Sequence, residues 1–293
     1  MVHRKVKALL NKLTMEKFDS ISGQVIVWAN KSEKEKDGRT LIQIIRLVFE
    51  HAIDGATWSE VYARLCREMM NRISPKVQDE GVKNSEGNPI AGDQLFRKYL
   101  CNGCQEGYER ASGDGVAKAA NQQNKEGRTE EVALFSDKYY AAQKVKRHGL
   151  GLIKFVGELF KLQMLTEHIM HNYVETLLVN VEHLEEVEIE RSCKLLTTVG
   201  AHLDTQKARA HMDVYFSRIK ELTKSQNVSL RMQFMLQDII ELRERNWVSR
   251  DAIVAQKRGS DGRDVAGSGS GAPPSRLRKK AQKANGINLS NKL

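Results

Sequence analysis

Proline placement constrains this chain more than any other feature of its sequence. The four prolines stand at positions 75, 89, 273 and 274, so the run from Ile90 to Ala272 contains none. A proline inside a helix costs about 3 kcal/mol, and a run without one permits long, uninterrupted helices. Periodicity predicts that they form. Leu41, Ile44, Ile45, Val48, Phe49 and Ala52 follow helical spacing, as do Trp58, Val61, Tyr62, Leu65, Cys66, Met69 and Ile73. The pattern returns at Leu152, Phe155, Val156, Leu159 and Phe160, and at Met170, Tyr173, Val174, Leu177, Leu178 and Val181. Period-two alternation appears nowhere over a useful length, so the expected fold class is all-α.

Start and stop signals place ten helices, beginning near residues 2, 15, 38, 58, 92, 137, 167, 184, 207 and 228. Thr57 and Glu60 are read as a capping box, and Pro75 after Ser74 as the end of that helix. Paired consecutively, ten helices make five antiparallel hairpins of about 40 residues or more, the period of an α-solenoid of HEAT-type repeats. A closed bundle is the alternative. The spacing also assigns Phe155, Phe216 and Phe234 to the core. Two polar, glycine-containing segments, Pro75 to Gly92 and Ser112 to Thr129, are read as loops. The apolar pattern stops after Trp247, so residues 1–248 form the expected domain and 249–293 a disordered basic tail.

The chain carries 47 Lys and Arg against 37 Asp and Glu, a formal charge of +10. Ten of those cations and three aspartates lie beyond residue 248, so the basicity belongs mainly to the tail, with Arg276, Arg278, Lys279 and Lys280 at its centre. These suit sequence-independent attraction to phosphates. Arg147, Lys154 and Lys161, seven apart on one expected helix, form a second basic row with the same potential. No apolar stretch approaches the roughly 20 residues that span a bilayer, and no apolar leader follows the charged N-terminus. Four scattered cysteines do not make a disulfide framework and fit a reducing compartment.

Chemistry-bearing patterns are weak. Cys101-Asn-Gly-Cys104 lacks a second cysteine pair for zinc and lies in an expected helix. His168-x-x-His171 lacks the intervening Glu and third ligand of a zinc hydrolase. Gly149-Leu-Gly151 has neither a preceding strand nor the remaining residues of a phosphate loop, and reads as a kink or a close packing point. Tyr173 to Val179 fits a short cap-binding-protein pattern, but its residues are the apolar face of a helix. No nucleophile is paired with a base, so no enzyme, no cofactor and no metal are expected.

One long segment is distinctive: Arg147-His-Gly-Leu-Gly-Leu-Ile-Lys-Phe-Val-Gly-Glu-Leu-Phe-Lys161, continuing to His171. With Lys7 to Thr14, Leu195 to Gly200, and Arg231 to Arg243 followed by Asn246-Trp247, it resembles the middle domain of eukaryotic translation initiation factor 4 gamma, in the family's order. The resemblance implies a crescent of five HEAT-type hairpins without catalysis. It implies a scaffold in translation initiation that holds and activates the DEAD-box RNA helicase eukaryotic initiation factor 4A and binds messenger RNA in the cytoplasm. Helicase contacts are expected from Lys12 and Thr14 in the first hairpin and from Arg243, Asn246 and Trp247 in the fifth; RNA contacts are expected from the two basic clusters. Family members carry segments for the cap-binding and poly(A)-binding proteins upstream, whereas this chain starts at the first hairpin, which reads as either a fragment or an incomplete gene model; it is expected to act as a monomer. Related middle-domain proteins of nonsense-mediated decay, splicing or nuclear cap binding are the alternative within the fold. An enzyme using the Cys101/Cys104 and His168/His171 pairs is the alternative outside it.

Overall fold

The computed structural model describes residues 2–111, 131–178, 186–250 and 252. It divides into two units, Met1–Val248 and Ser249–Leu293. Nearly all of the second, including the basic cluster at 276–280, lies outside the described residues, as do the whole of the expected loop at 112–129 and Val179 and Val181 of the helical stripe.

Ten α-helices are found among the described residues: α1 Val2–Leu10, α2 Phe18–Ala29, α3 Arg39–Asp54, α4 Ser59–Arg72, α5 Gly92–Ala111, α6 Glu131–Lys161, α7 Glu167–Leu178, α8 Glu186–Leu203, α9 Arg209–Leu222 and α10 Leu230–Glu244. Consecutive helices pair as five hairpins, and each hairpin packs on the next. The stack shares one cluster of buried apolar side chains running from Val6 to Ile240, as an α-solenoid requires of repeats that cannot bury their apolar faces alone.

The 31-residue α6 is the central beam, packing against α3, α4 and α5 on one side and α8 on the other. Glycine makes these crossings close. A Cβ on Gly151 would stand 3.0 Å from Ile53 Cα, and one on Gly157 would stand 2.8 Å from Thr198 Cγ2. The Gly149-Leu-Gly151 pair is therefore a packing point, and the helix runs through it. Phe155 is buried there, edge-on to Phe49 with ring centroids 5.1 Å apart. At the far end Gln163 adopts a left-handed φ of 58°, and Arg97 from α5 donates to the freed carbonyls of Gln163 and Met164 at 3.1 and 3.2 Å.

Four readings of the sequence need correction. The segment from Pro75 to Gly92 holds a two-stranded antiparallel hairpin, β1 Gln78–Lys83 with β2 Pro89–Ala91, fastened to the chain before α3 by Glu80 N–H to Lys36 O at 2.9 Å and to α5 by Tyr99 OH to Asp79. Its residues are polar and poor strand formers, so contacts with neighbours rather than intrinsic preference create it. The Thr57/Glu60 capping box does not form. Thr57 lies in a 3-10 turn, Ala56–Trp58, that joins α3 to α4 too tightly for the extended backbone of a capping residue. Trp58 is half-exposed beside that turn and leaves the stripe that Val61 to Ile73 bury. Phe234 is 69% exposed, because Met232, Leu236, Ile239 and Ile240 define the inner face of α10 and Phe234 sits about 200° from its neighbours Met232 and Leu236.

Candidate functional site

The first hairpin turns between α1 and α2, where Leu13 is buried and Tyr62 OH donates to Leu10 O at 3.3 Å, fixing the turn against α4. Lys12 projects into solvent from it. Thr14 is half-buried, and its Oγ1 accepts the Lys17 N–H at 3.3 Å, so this side chain helps start α2. Met15 beside it is 51% exposed. This end thus presents a cation next to an apolar side chain on a braced turn.

The fifth hairpin is built around one carboxylate. Asp204, just beyond α8, accepts Nε and Nη2 of Arg243 at 2.9 and 3.2 Å and the indole N–H of Trp247 at 3.1 Å. Burial pushes the Asp204 carboxyl up, but these hydrogen bonds and the charges of Arg243 and Arg209 outweigh burial and hold it below the usual range. Arg243 lies over the Phe216 ring at 4.5 Å, and Phe216 meets Trp247 edge-on at 5.9 Å. Asn246 and Trp247 both have left-handed backbones, φ 51° and 64°, with Trp247 N–H closing on Leu242 O at 2.8 Å. Such conformations cost non-glycine residues about 1–2 kcal/mol each. The seated indole offsets that cost: its ring fills the space over Gly200 that a side chain there would occupy.

The residues expected to act together at this end are therefore in different states. Arg243 and Trp247 are engaged inside the domain, while Asn246 is exposed. On the outer face of α10, Leu230 and Phe234, one turn apart, are 71% and 69% exposed. Reading helical stripes as core only missed this pair, although its offset from Met232 and Leu236 was visible in the spacing.

The basic row is less open than its spacing implies. From Gly151 to Phe160, α6 is buried except for half-buried Lys154, so the row is open only at its two ends, Arg147 and Lys161. Arg147 pairs with Asp54 at 3.7 Å and Lys161 with buried Glu158 at 2.8 Å. Another network crosses the hairpins: Glu190 on α8 pairs with Lys146 on α6 at 3.1 Å and with Arg231 on α10 at 3.7 Å. His171 Nδ1 lies 3.0 Å from Tyr215 OH, and His168 lies beside Asn172. Cys104 is buried and Cys101 half-buried, and burial pushes both thiols up. No cluster of three or more metal-ligating groups occurs among the described residues.

Stacked helical hairpins with a continuous core and side chains presented at both ends define the class: a helical-repeat protein. The MIF4G domain model matches residues 3–246, and the chain belongs to that family. It is 47% identical over 254 residues to eukaryotic translation initiation factor 4 gamma of Schizosaccharomyces pombe, covering 86% of this chain and 18% of that protein. It is 40% identical over 257 residues to human eukaryotic translation initiation factor 4 gamma 3, covering 87% of this chain and 15% of that protein. The chain thus spans less than a fifth of the length of these two relatives. Among solved structures, the MIF4G domain of Trypanosoma cruzi translation initiation factor EIF4G5 aligns with a TM-score of 0.49 at 19% identity, over 84% of this chain and 96% of that one.

Proposed function

We propose that this chain is a non-enzymatic translation-initiation scaffold of the cytoplasm that docks the DEAD-box helicase eukaryotic initiation factor 4A through both ends of its hairpin stack. The observation that carries this reading is the placement of exposed side chains at opposite ends of one continuous core. Lys12 and Met15 stand on the first hairpin, and Leu230, Phe234 and Asn246 on the fifth. Thr14 and Trp247 support these surfaces from behind. A stack of this kind keeps its ends at a fixed separation, so it binds best the one arrangement of two helicase lobes that spans it, and it shifts the lobe equilibrium by that difference in affinity. The initiation-factor names of the relatives favour this over a role in decay, splicing or nuclear cap binding.

RNA is the second proposed partner. Arg147, Lys154 and Lys161 offer a short contact on α6, and the sequence beyond residue 248 supplies most of the net positive charge. The test is ATP turnover by the helicase in the presence of RNA, titrated with the full chain. A saturable rise is expected, and a flat response to folded protein would refute the proposal.

A further inference from the structure

Arg243 has Nε and Nη2 of its guanidinium occupied from inside the chain, by two carboxylates of different character. Asp204 takes the Nε edge as a fork; its side chain is 10% exposed and also binds Trp247. Asp213 takes the outward edge, with Nη2 donating to its Oδ1 at 2.7 Å, but its side chain is 62% exposed on α9 beside exposed Val214. Asp204 anchors the guanidinium, while Asp213 only covers the side that faces solvent. Phe216 beneath the plane and the Asp204 fork behind it anchor the guanidinium independently of Asp213.

We propose that Asp213 is an internal stand-in for a carboxylate of the docking partner, which displaces it from Nη2 of Arg243. The inference rests on the helicase reading and adds to it the chemistry of one contact: an acidic side chain of the partner seated on a guanidinium fixed in advance. Exchanging one exposed carboxylate for another leaves Arg243 satisfied throughout, so the buried Asp204 pair is never left uncompensated. The stand-in opposes docking in two ways, because its own ion pair must open and its charge repels the newcomer. Its removal therefore strengthens docking, opposite to the usual result of deleting an ion pair at an interface.

The experiment titrates initiation factor 4A into the full chain and its variants at low and moderate salt, with thermal melting as the check on folding. Exposed ion pairs contribute about 0.2–1 kcal/mol, so Asp213→Asn is expected to bind roughly 1.4- to five-fold more tightly. The gain shrinks as salt rises, because the repulsion that it relieves is screened. Asp213→Ser should match Asp213→Asn, and Asp213→Glu, which restores the competing carboxylate, should return the wild-type affinity. Equal or weaker binding by both uncharged variants, with the wild-type chain binding normally, would overturn the stand-in while leaving the helicase reading intact. No binding by any form, wild type included, would overturn both.

Discussion

Replacing Gly200 by alanine should unseat Trp247. A Cβ on Gly200 would lie 2.5 Å from Cε3 of the indole, with two further ring atoms closer still. The ring has no retreat, since Phe216 stands against it and its N–H is tied to Asp204. Three effects set the magnitude. Losing a hydrogen bond to a charged carboxylate costs about 1.5–3 kcal/mol, and displacing a packed ring costs about 1–3 kcal/mol. Alanine's better helix propensity offsets about 1 kcal/mol. The net loss is about 1.5–5 kcal/mol, or a melting temperature lower by roughly 3–20 °C for a domain of this size. Circular dichroism melting of the full chain reads it, and loss of the tryptophan environment is followed by fluorescence. On a Trp247→Ala background the sign should reverse, because only the propensity gain remains. An unchanged or higher melting temperature for Gly200→Ala in the wild-type chain would refute the seating of Trp247 over α8.

The two phenylalanines should separate folding from docking: Phe155→Ala is expected to cost about 3–5 kcal/mol of stability. Phe234→Ala should stay within about 0.5 kcal/mol by melting yet weaken helicase binding several-fold in a titration. Acid should destabilise the domain through His171, whose pKa is held below the ordinary imidazole value by burial and by His211, against the opposing charges of Glu167 and Glu175. A folded-state pKa lower than the unfolded one means that this contribution is complete above about pH 6.5 and is lost as pH falls through the folded value. Melting curves at neutral and mildly acidic pH should therefore show a slope that His171→Gln reduces, and an identical slope in the variant would refute the assignment. Removing residues 249–293 should weaken RNA binding mainly at low salt and spare helicase binding, checked by titration across ionic strength.

Much of the stack was legible because burial follows spacing. Leu41 to Ala52 and Leu152 to Phe160 were assigned to inner faces by their intervals alone, and all are buried. The same reasoning failed where geometry beyond one helix decides. Phe234 belongs to a helical pattern but to its outer face, and spacing gives a face without saying which neighbour covers it. The strand pair at 78–91 is invisible in its own polar sequence, since its partners are Lys36 and Tyr99. The fifth hairpin was partly legible. Arg243, Asn246 and Trp247 were picked out by resemblance, but nothing local told that Asp204, 39 positions before Arg243, closes on its guanidinium. Resemblance gave a role to side chains; only the fold separates those that face a partner from those that hold the surface in place.

The most direct test of the two-ended scaffold is the distance between the lobes of initiation factor 4A, read by energy transfer between one dye on each lobe as the chain is added. The wild-type chain should draw the lobes into a single fixed separation, while Lys12→Glu and Phe234→Asp, each altering one end, should bind more weakly and leave the lobe distance distributed as in the free helicase. A lobe separation unaffected by saturating wild-type chain, or fixed equally well by a variant lacking one end, would contradict the account.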